Sequence, residues 1–271
     1  MIQDNILSKN DKILILSPHP DDELLSSAGF IQKGKELNIP IKIVFITNGE
    51  GFIITFKFEN PFKKINPENL IKFGEKRQQE AIVALNFLEI KKEDIYFLSF
   101  PDSHIKDLYY QNFKKEKQSK HTKLKETNYP LSYKKNVPYK GKELEKELSS
   151  IIKEFNPTKI FYPTTKDRHN DHRFTGMFLE KIITNENLKI ETYSYLIHYF
   201  TYPMLQNLIP KNFIFPPKTF LKNREWININ LSEKEVIAKK RALSKYITQR
   251  RATFLFFRSF EKSNELFIKE N

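Results

Sequence analysis

The chain has 271 residues, 39% of them hydrophobic, with 24 Phe and no Cys. That supplies a core for one large α/β domain or two small ones, and it excludes global disorder, disulfides and thiolate metal sites. The net charge of +13 would suit a polyanion, yet the lysines are scattered among abundant Ile and Asn, which reads as compositional drift rather than a nucleic-acid face.

No run approaches the ~20 apolar residues of a membrane span. Residues 1–10 lack the apolar centre of a secretory signal, so a cytoplasmic place is expected. Ile13 to Leu16 reads as a buried strand and Leu24 to Leu37 as a helix, stopped near Pro40. Ile41 to Thr47 is the second strand, closing a βαβ unit. Phe52 to Asn69 reads as loop, Leu70 to Leu88 as helix and Asp94 to Phe100 as a third strand. Residues 106–140 are rich in Lys and Tyr and poor in aliphatics. They read as a lid or surface insertion, with Tyr109, Tyr110, Tyr129, Tyr133 and Tyr139 offered to a sugar or an anion.

Gly141 to Phe155 is an amphipathic helix, Lys159 to Tyr162 a fourth strand, Arg173 to Ile183 a helix and Glu191 to Phe200 an aromatic strand. Ile209 to Lys222 reads as extended, Ser232 to Ile247 as a helix capped by Ser232 and Glu235, and Arg250 to Phe267 as a tail too apolar to stay undocked. The alternation predicts one α/β domain over 1–271. It is Rossmann-like, with a mostly parallel sheet, helices on both faces, and C-terminal elements (186–271) against the core.

Polar clusters follow each strand, on the rim where such sheets bind ligands. The first is Ser17-Pro-His-Pro-Asp-Asp-Glu23, in which Pro18 and Pro20 stiffen the turn around His19. Asp21 or Asp22 would also serve as a helix cap, but a cap needs one carboxylate and this turn carries three. Then come Thr47-Asn48, the Asp102–His104 loop and Asp167 to His172, which holds two of the six histidines. Two imidazoles and one carboxylate leave positions open for water and substrate, the layout of a catalytic zinc or an iron(II) site. Glu23 reads as support for the turn. His104 reads as a substrate-loop residue, His121 as solvated and His198 as structural. Arg168 would grip a phosphate or sugar hydroxyl, or pair with Asp167.

With Pro18–Glu23, His169-Asn-Asp-His172, Thr47-Asn48-Gly49, the helix carrying Arg77, Glu80 and Ala81, and Pro101-Asp102, the chain resembles the LmbE-like (PIG-L) zinc de-N-acetylases over about residues 10–185. The resemblance implies Zn2+ held by His19, Asp22 and His172, with Fe2+ also compatible. It implies Asp21 as general base, His169 as the cationic partner of the oxyanion or departing amine, and Asp171 as the group that orients a histidine, His169 foremost. Arg77 and Asp102 would contact the sugar. Some relatives place an oxyanion-helping tyrosine where this chain has Asp167. The implied reaction removes the N-acetyl group of an amino sugar or glycoconjugate, releasing acetate and a free amine. Phosphorylated, nucleotide-linked or lipid-linked carriers are compatible with the charge, and no nucleic-acid partner is expected. The alternative is a basic polyanion-binding protein with a non-catalytic rim, and an iron(II) oxygenase is a third reading.

Overall fold

The computed structural model describes residues 6–204, 206, 213–220 and 224–270. Apolar runs form the centre of the sheet: β1 (Ile13–Ser17), β2 (Ile41–Thr47), β3 (Ile95–Phe100) and β4 (Lys159–Pro163) are almost wholly buried. Such runs are stable only where helices cover both faces. Ile13, Ile15, Ile43 and Phe45 share a core with α1 (Asp22–Glu36) and α3 (Pro67–Asn86). Their neighbours Leu14, Leu16, Val44 and Ile46 share another with α5 (Gly141–Phe155) and α6 (Asn170–Asn185).

With β5 (Glu191–Tyr195), β6 (Glu225–Asn230) and β7 (Asn264–Lys269), the strands form one seven-stranded sheet, ordered β3-β2-β1-β4-β5-β7-β6. β1 to β5 pair in parallel, and β7 lies antiparallel between β5 and β6. The chain is thus a single α/β domain with a mostly parallel sheet. The order reverses between β1 and β4, so the loops after these two strands meet at the switch point where open sheets bind ligands.

The structure departs from the sequence-based expectation in three places. First, residues 52–69 are not all loop. α2 (Ile53–Glu59) buries Thr55 and Phe56 and leaves Ile54 and Phe58 exposed. Asn66 then caps α3, accepting the Asn69 N–H at 2.9 Å.

Second, residues 106–140 form a strap, a surface insertion that lies along the sheet edge rather than a lid over the cleft. After α4 (Ile105–Tyr109) the chain returns along the outer edge of β3, where Tyr133 N–H donates to Phe97 O at 2.7 Å. Tyr129 and Tyr139 are fully buried, Tyr133 rests edge-on against Tyr96, and Tyr109 packs on Phe174 and Phe178. The strap covers an otherwise open sheet edge, and none of these rings lines the cleft described below.

Third, the C-terminal segment does more than pack on the core. β6 and β7 are strands of the sheet itself, with α7 (Glu233–Leu243), α8 (Ile247–Arg250) and α9 (Phe254–Phe260) between them. β7 holds only three consecutive apolar residues, Leu266 to Ile268, too few for a periodicity that separates strand from helix. The expected capping box is formed: Ser232 N–H donates to Glu235 Oε2 at 2.6 Å and Glu235 N–H to Ser232 Oγ at 3.3 Å. Of Ile209 to Lys222, residues 209–212 and 221–222 lie outside the described residues, and Lys218–Phe220 forms one 3-10 turn.

The C-terminal segment also grips α1. Glu265 of β7 accepts the Gly29 and Phe30 N–H groups at 2.8 Å each, and it pairs with Lys239 at 2.7 Å. Lys239 donates in turn to Leu25 O at 2.9 Å. Both partners are buried, so the pair fixes the position of the helix whose first turn carries the site.

Candidate active site and metal centre

His19 leaves β1 in the turn stiffened by Pro18 and Pro20, and Asp22 opens α1. His172 stands in the first turn of α6, behind β4. Across the switch point three donor atoms converge. Asp22 Oδ2 lies 3.0 Å from His19 Nδ1 and 3.0 Å from His172 Nε2, and the two ring nitrogens lie 3.3 Å apart. Tetrahedral zinc with bonds of ~2.05 Å separates its ligand atoms by about 3.3 Å. These three side chains therefore fit a divalent cation.

The surroundings favour positive charge as well. Burial opposes a charged His172 ring, but the Asp22 and Asp167 carboxylates outweigh it and push its pKa up to about 9. Asp167 Oδ2 lies 3.3 Å from His172 Nδ1, and the same carboxylate accepts the N–H groups of His169, Ile197 and His198. An acceptor behind the ring leaves Nε2 free for a metal. Where some relatives carry a tyrosine, this chain thus braces a candidate ligand. Other donor sets overlap this one: His19, His169 and His172 come within 4.8 Å, as do Asp22, His172 and His198, and His19, Asp102 and Asp171.

Asp21 sits beside the cluster with φ 127°, a conformation that costs energy for any residue but Gly. Glu23 supports it. Its Oε2 accepts the Asp21 N–H at 3.1 Å and the Ser17 hydroxyl at 3.3 Å, while Tyr246 OH donates to its Oε1. Burial raises the Glu23 carboxyl to about 8, against the lowering effect of the Tyr246 bond. Burial also raises Asp21, to about 7, opposed by the Arg77 guanidinium 3.4 Å away.

The other candidate residues divide into three groups. Asp102 and Arg168 line the cleft. Asp102 Oδ1 is 3.3 Å from His19 Nε2 and its Oδ2 accepts the Gly51 N–H at 2.7 Å. The Arg168 guanidinium lies over the Phe200 ring at 4.1 Å and does not pair with Asp167.

Arg77 reaches the cleft floor but is buried, donating to Gly49 O and Pro20 O at 2.7 Å each. Gly49 (φ +63°) passes so close that a Cβ there would lie 1.7 Å from Arg77 Nη1.

Asn48 and His104 stand outside the cleft lining. Asn48 Oδ1 accepts from Gln78 at 2.9 Å. His104 Nδ1 is 3.0 Å from Asp107, and its Nε2 accepts the Lys120 N–H at 3.0 Å. Both His104 ring nitrogens are therefore occupied by the strap, and the expected substrate role gives way to a structural one.

His169 caps α6, its Nδ1 accepting the Asp171 N–H at 3.3 Å. Its proton is therefore on Nε2. Burial, then the neighbouring His19 and His172, push its pKa down, so the expected cationic ring rests neutral. The Asp171 carboxylate faces His19 Nε2 at 3.4 Å and accepts the Ser103 and Ile105 N–H groups at 2.7 and 3.2 Å. Its orienting effect falls on His19, and it presents only its backbone N–H to the His169 ring.

Two further histidines come to the rim. His198 contacts the His172 ring edge-on at 4.8 Å and stacks on Phe256 at 5.2 Å. Burial, then His172, push it down to about 3. His121 is half-buried, not solvated. It approaches Gly51 so closely that a Cβ there would lie 2.5 Å from its Nε2. The only sign of either in the sequence was the placement of His198 near the end of a strand.

Glu50 was not singled out in the sequence. It is buried, accepts the Asp102 N–H at 3.2 Å, and is raised to about 8 by burial and then by the Asp102 charge. The folded state therefore holds a Glu50 proton that the unfolded chain releases near pH 4.5. Its contribution to stability is complete below that pH and is lost as pH rises toward about 8. Glu50→Gln keeps the acceptor and removes the ionisation. Thermal melts should show a smaller loss of Tm from pH 6 to about pH 9 than in the parent. An equal loss in both proteins would mean that Glu50 does not titrate in this window.

The cleft holds about 730 Å3. Its floor is His19, Asp21, Asp22 and Asp102, and its walls include Phe52, Tyr199, Phe200 and Phe256. No curated protein matches the chain in sequence. Solved structures share its fold. The A40926 pseudoaglycone deacetylase is 15% identical with a TM-score of 0.59, 96% of each chain being covered. The N,N'-diacetylchitobiose deacetylase of Pyrococcus horikoshii is 17% identical with a TM-score of 0.55, covering 95% of this chain and 82% of that one. The 4-carboxy-2-hydroxymuconate hydratase of Pseudomonas putida is 13% identical with a TM-score of 0.54, over 95% of both chains. The model of one family matches residues 14–183, the stretch from β1 to α6 that holds both halves of the His/Asp donor cluster. The chain belongs to that family, PIG-L, the GlcNAc-PI de-N-acetylases.

Proposed function

We propose that the protein is a metal-dependent deacetylase that hydrolyses the N-acetyl amide of an amino sugar or glycoconjugate, releasing acetate and a free amine. The observation that carries this reading is the convergence of His19 Nδ1, Asp22 Oδ2 and His172 Nε2 at 3.0–3.3 Å, with the Asp21 carboxylate beside them on the floor of an open cleft. Zinc or iron(II) would suit these donors, and such an ion lowers the pKa of water and polarises a carbonyl.

The chain's own groups supply the rest. Asp21, with a pKa near neutrality, takes the proton of the attacking water and returns it to the departing nitrogen. His169 presents its Nε2–H to the oxyanion that forms on the acetyl oxygen. Asp171 and Asp102 hold His19 from its far side, and Asp167 holds His172. Asp102 and Arg168 offer polar contacts to sugar hydroxyls, and Phe52 and Phe200 offer rings to a sugar face. The hydratase neighbour shows that the fold alone does not select the reaction. The carboxylates on the floor oppose entry of a bare polyphosphate chain, which weighs against the polyanion-binding alternative.

The test is incubation of metal-loaded protein with N-acetylated mono- and disaccharides and lipid-linked N-acetylglucosamine, following amine by fluorescence and acetate enzymatically. Equimolar amine and acetate, abolished by chelation and restored by zinc or iron(II), is the expected result. Acetate or amine alone, or turnover untouched by chelation, would overturn the proposal.

A further inference from the structure

The walls of the cleft continue outward into apolar side chains that face water. Ile54, Phe58, Phe62, Phe200, Met204 and Phe254 are each between 46% and 99% exposed. Ile54 and Phe58 stand one turn apart on α2, opposite the buried Phe56, so this short helix has an apolar side turned outward as well as one turned inward. The Glu59–Arg251 ion pair at 3.4 Å ties α2 to the turn between α8 and α9, bringing Phe254 to the same side of the cleft. Phe200 and Met204 line the mouth itself. A monomer seldom exposes so many large apolar groups around one opening without a partner for them.

Charge identifies that partner. Residues 52–64 and 245–260 together carry seven Lys or Arg and one acid, Glu59. That is +6 of the chain's +13 in two short segments. Exposed Lys57, Lys63 and Lys64 stand among Ile54, Phe58 and Phe62. Basic side chains interleaved with large apolar ones match an anionic bilayer, where the cations meet lipid phosphates and the apolar groups enter the acyl boundary. The net positive charge of these two segments reflects their scarcity of acids, and it lies where the apolar groups emerge. We infer that the mouth of the cleft docks on an anionic phospholipid membrane, with α2 and the α8–α9 segment lying at the interface and the cleft opening toward the head groups. Among the described residues no helix is long and apolar enough to span a membrane, and the inferred contact is made by side chains of α2 and the α8–α9 segment. The inference goes beyond the proposed reaction and is read without turnover.

The experiment is co-sedimentation with vesicles of phosphatidylcholine alone and of phosphatidylcholine mixed with phosphatidylglycerol. Roughly tenfold stronger partition to the anionic vesicles, weakened at about 0.5 M salt, is expected. Ile54→Ser/Phe58→Ser/Phe62→Ser and, separately, Lys57→Glu/Lys63→Glu/Lys64→Glu should each lose at least roughly tenfold. Phe200→Ser/Phe254→Ser gives an independent apolar variant should the first unfold, and Tm reports on folding in each. Lys142→Glu/Lys146→Glu/Lys153→Glu, on the solvent side of α5 behind the opposite face of the sheet, should bind like the parent. Equal partition to both vesicle types, no partition at all, or an equal loss in the α5 variant would overturn the inference.

Discussion

His172→Ala should bind no stoichiometric zinc or iron and should lose about 10^4-fold or more in kcat/KM for amide hydrolysis. His19→Ala should behave the same way, because both rings approach Asp22 Oδ2 at 3.0 Å. The comparison that decides the ligand set is with His169→Ala and His198→Ala. Either histidine could complete a metal site by proximity, the relevant donor atoms lying within 4.8 Å of one another. Two observations argue against them. His169 Nδ1 already accepts the Asp171 N–H, and the His198 ring is stacked flat on Phe256. Both variants should therefore keep about one metal per chain, measured by mass spectrometry after chelation and reloading.

A second readout is independent of activity. At 100-fold excess over its Kd, a ligand that binds only the folded state stabilises it by about 2.7 kcal/mol. Metal should thus raise Tm in the parent and in His198→Ala but leave His172→Ala and His19→Ala unmoved. Retention of metal by His172→Ala, or its loss from His198→Ala, would move the centre to a different set of donors.

Much of this geometry was legible in the sequence because local chemistry carried it. Apolar runs with no polar alternation meant strands covered on both faces, and the polar turn after each strand meant a shared rim. His19, Asp22 and His172 come together across more than 150 residues because β1 and β4 are adjacent where the strand order reverses. Ser232 and Glu235 capped their helix as their spacing required.

What was not legible depended on long-range pairing. Asp171 lies two residues from His169 but turns its carboxylate toward His19, since the Ser103 and Ile105 N–H groups of a distant loop claim it. Tyr129 and Tyr139 look solvent-facing beside so many lysines, yet they are buried against the edge of a sheet that a sequence does not display. His104 shares a rim with the site but is held by the strap through Lys120. The support of Glu23 by Tyr246 crosses 223 residues, and no short motif could encode it.

Asp21→Asn should retain about one metal per chain and a KM within a few-fold of the parent, while kcat falls by about 10^2 to 10^4-fold. Asn is the informative replacement because Asp21 sits at φ 127°, and Asn tolerates positive φ better than most residues. Its amide oxygen can still meet Arg77 Nη2, and its backbone N–H can still donate to Glu23, so the turn that presents His19 and Asp22 is kept. An amide is not basic, so proton acceptance and the negative charge disappear while the hydrogen bonds of the turn stay. Asp21→Ala should lose turnover too, but the same change adds strain and an unpaired guanidinium, and the metal centre would suffer with it.

Separating the two effects requires metal content, Tm and kinetics on the same preparations. Metal retained with kcat lost assigns the proton transfer to Asp21. Near-normal kcat in Asp21→Asn would take the proton transfer away from Asp21 and leave Glu23 and Glu50, both raised to about 8, as the other carboxyls near neutrality. Neither lines the cleft: Glu50 accepts the Asp102 N–H and Glu23 the Asp21 N–H from behind the floor, so a transfer to either would need a water between it and the reacting atoms.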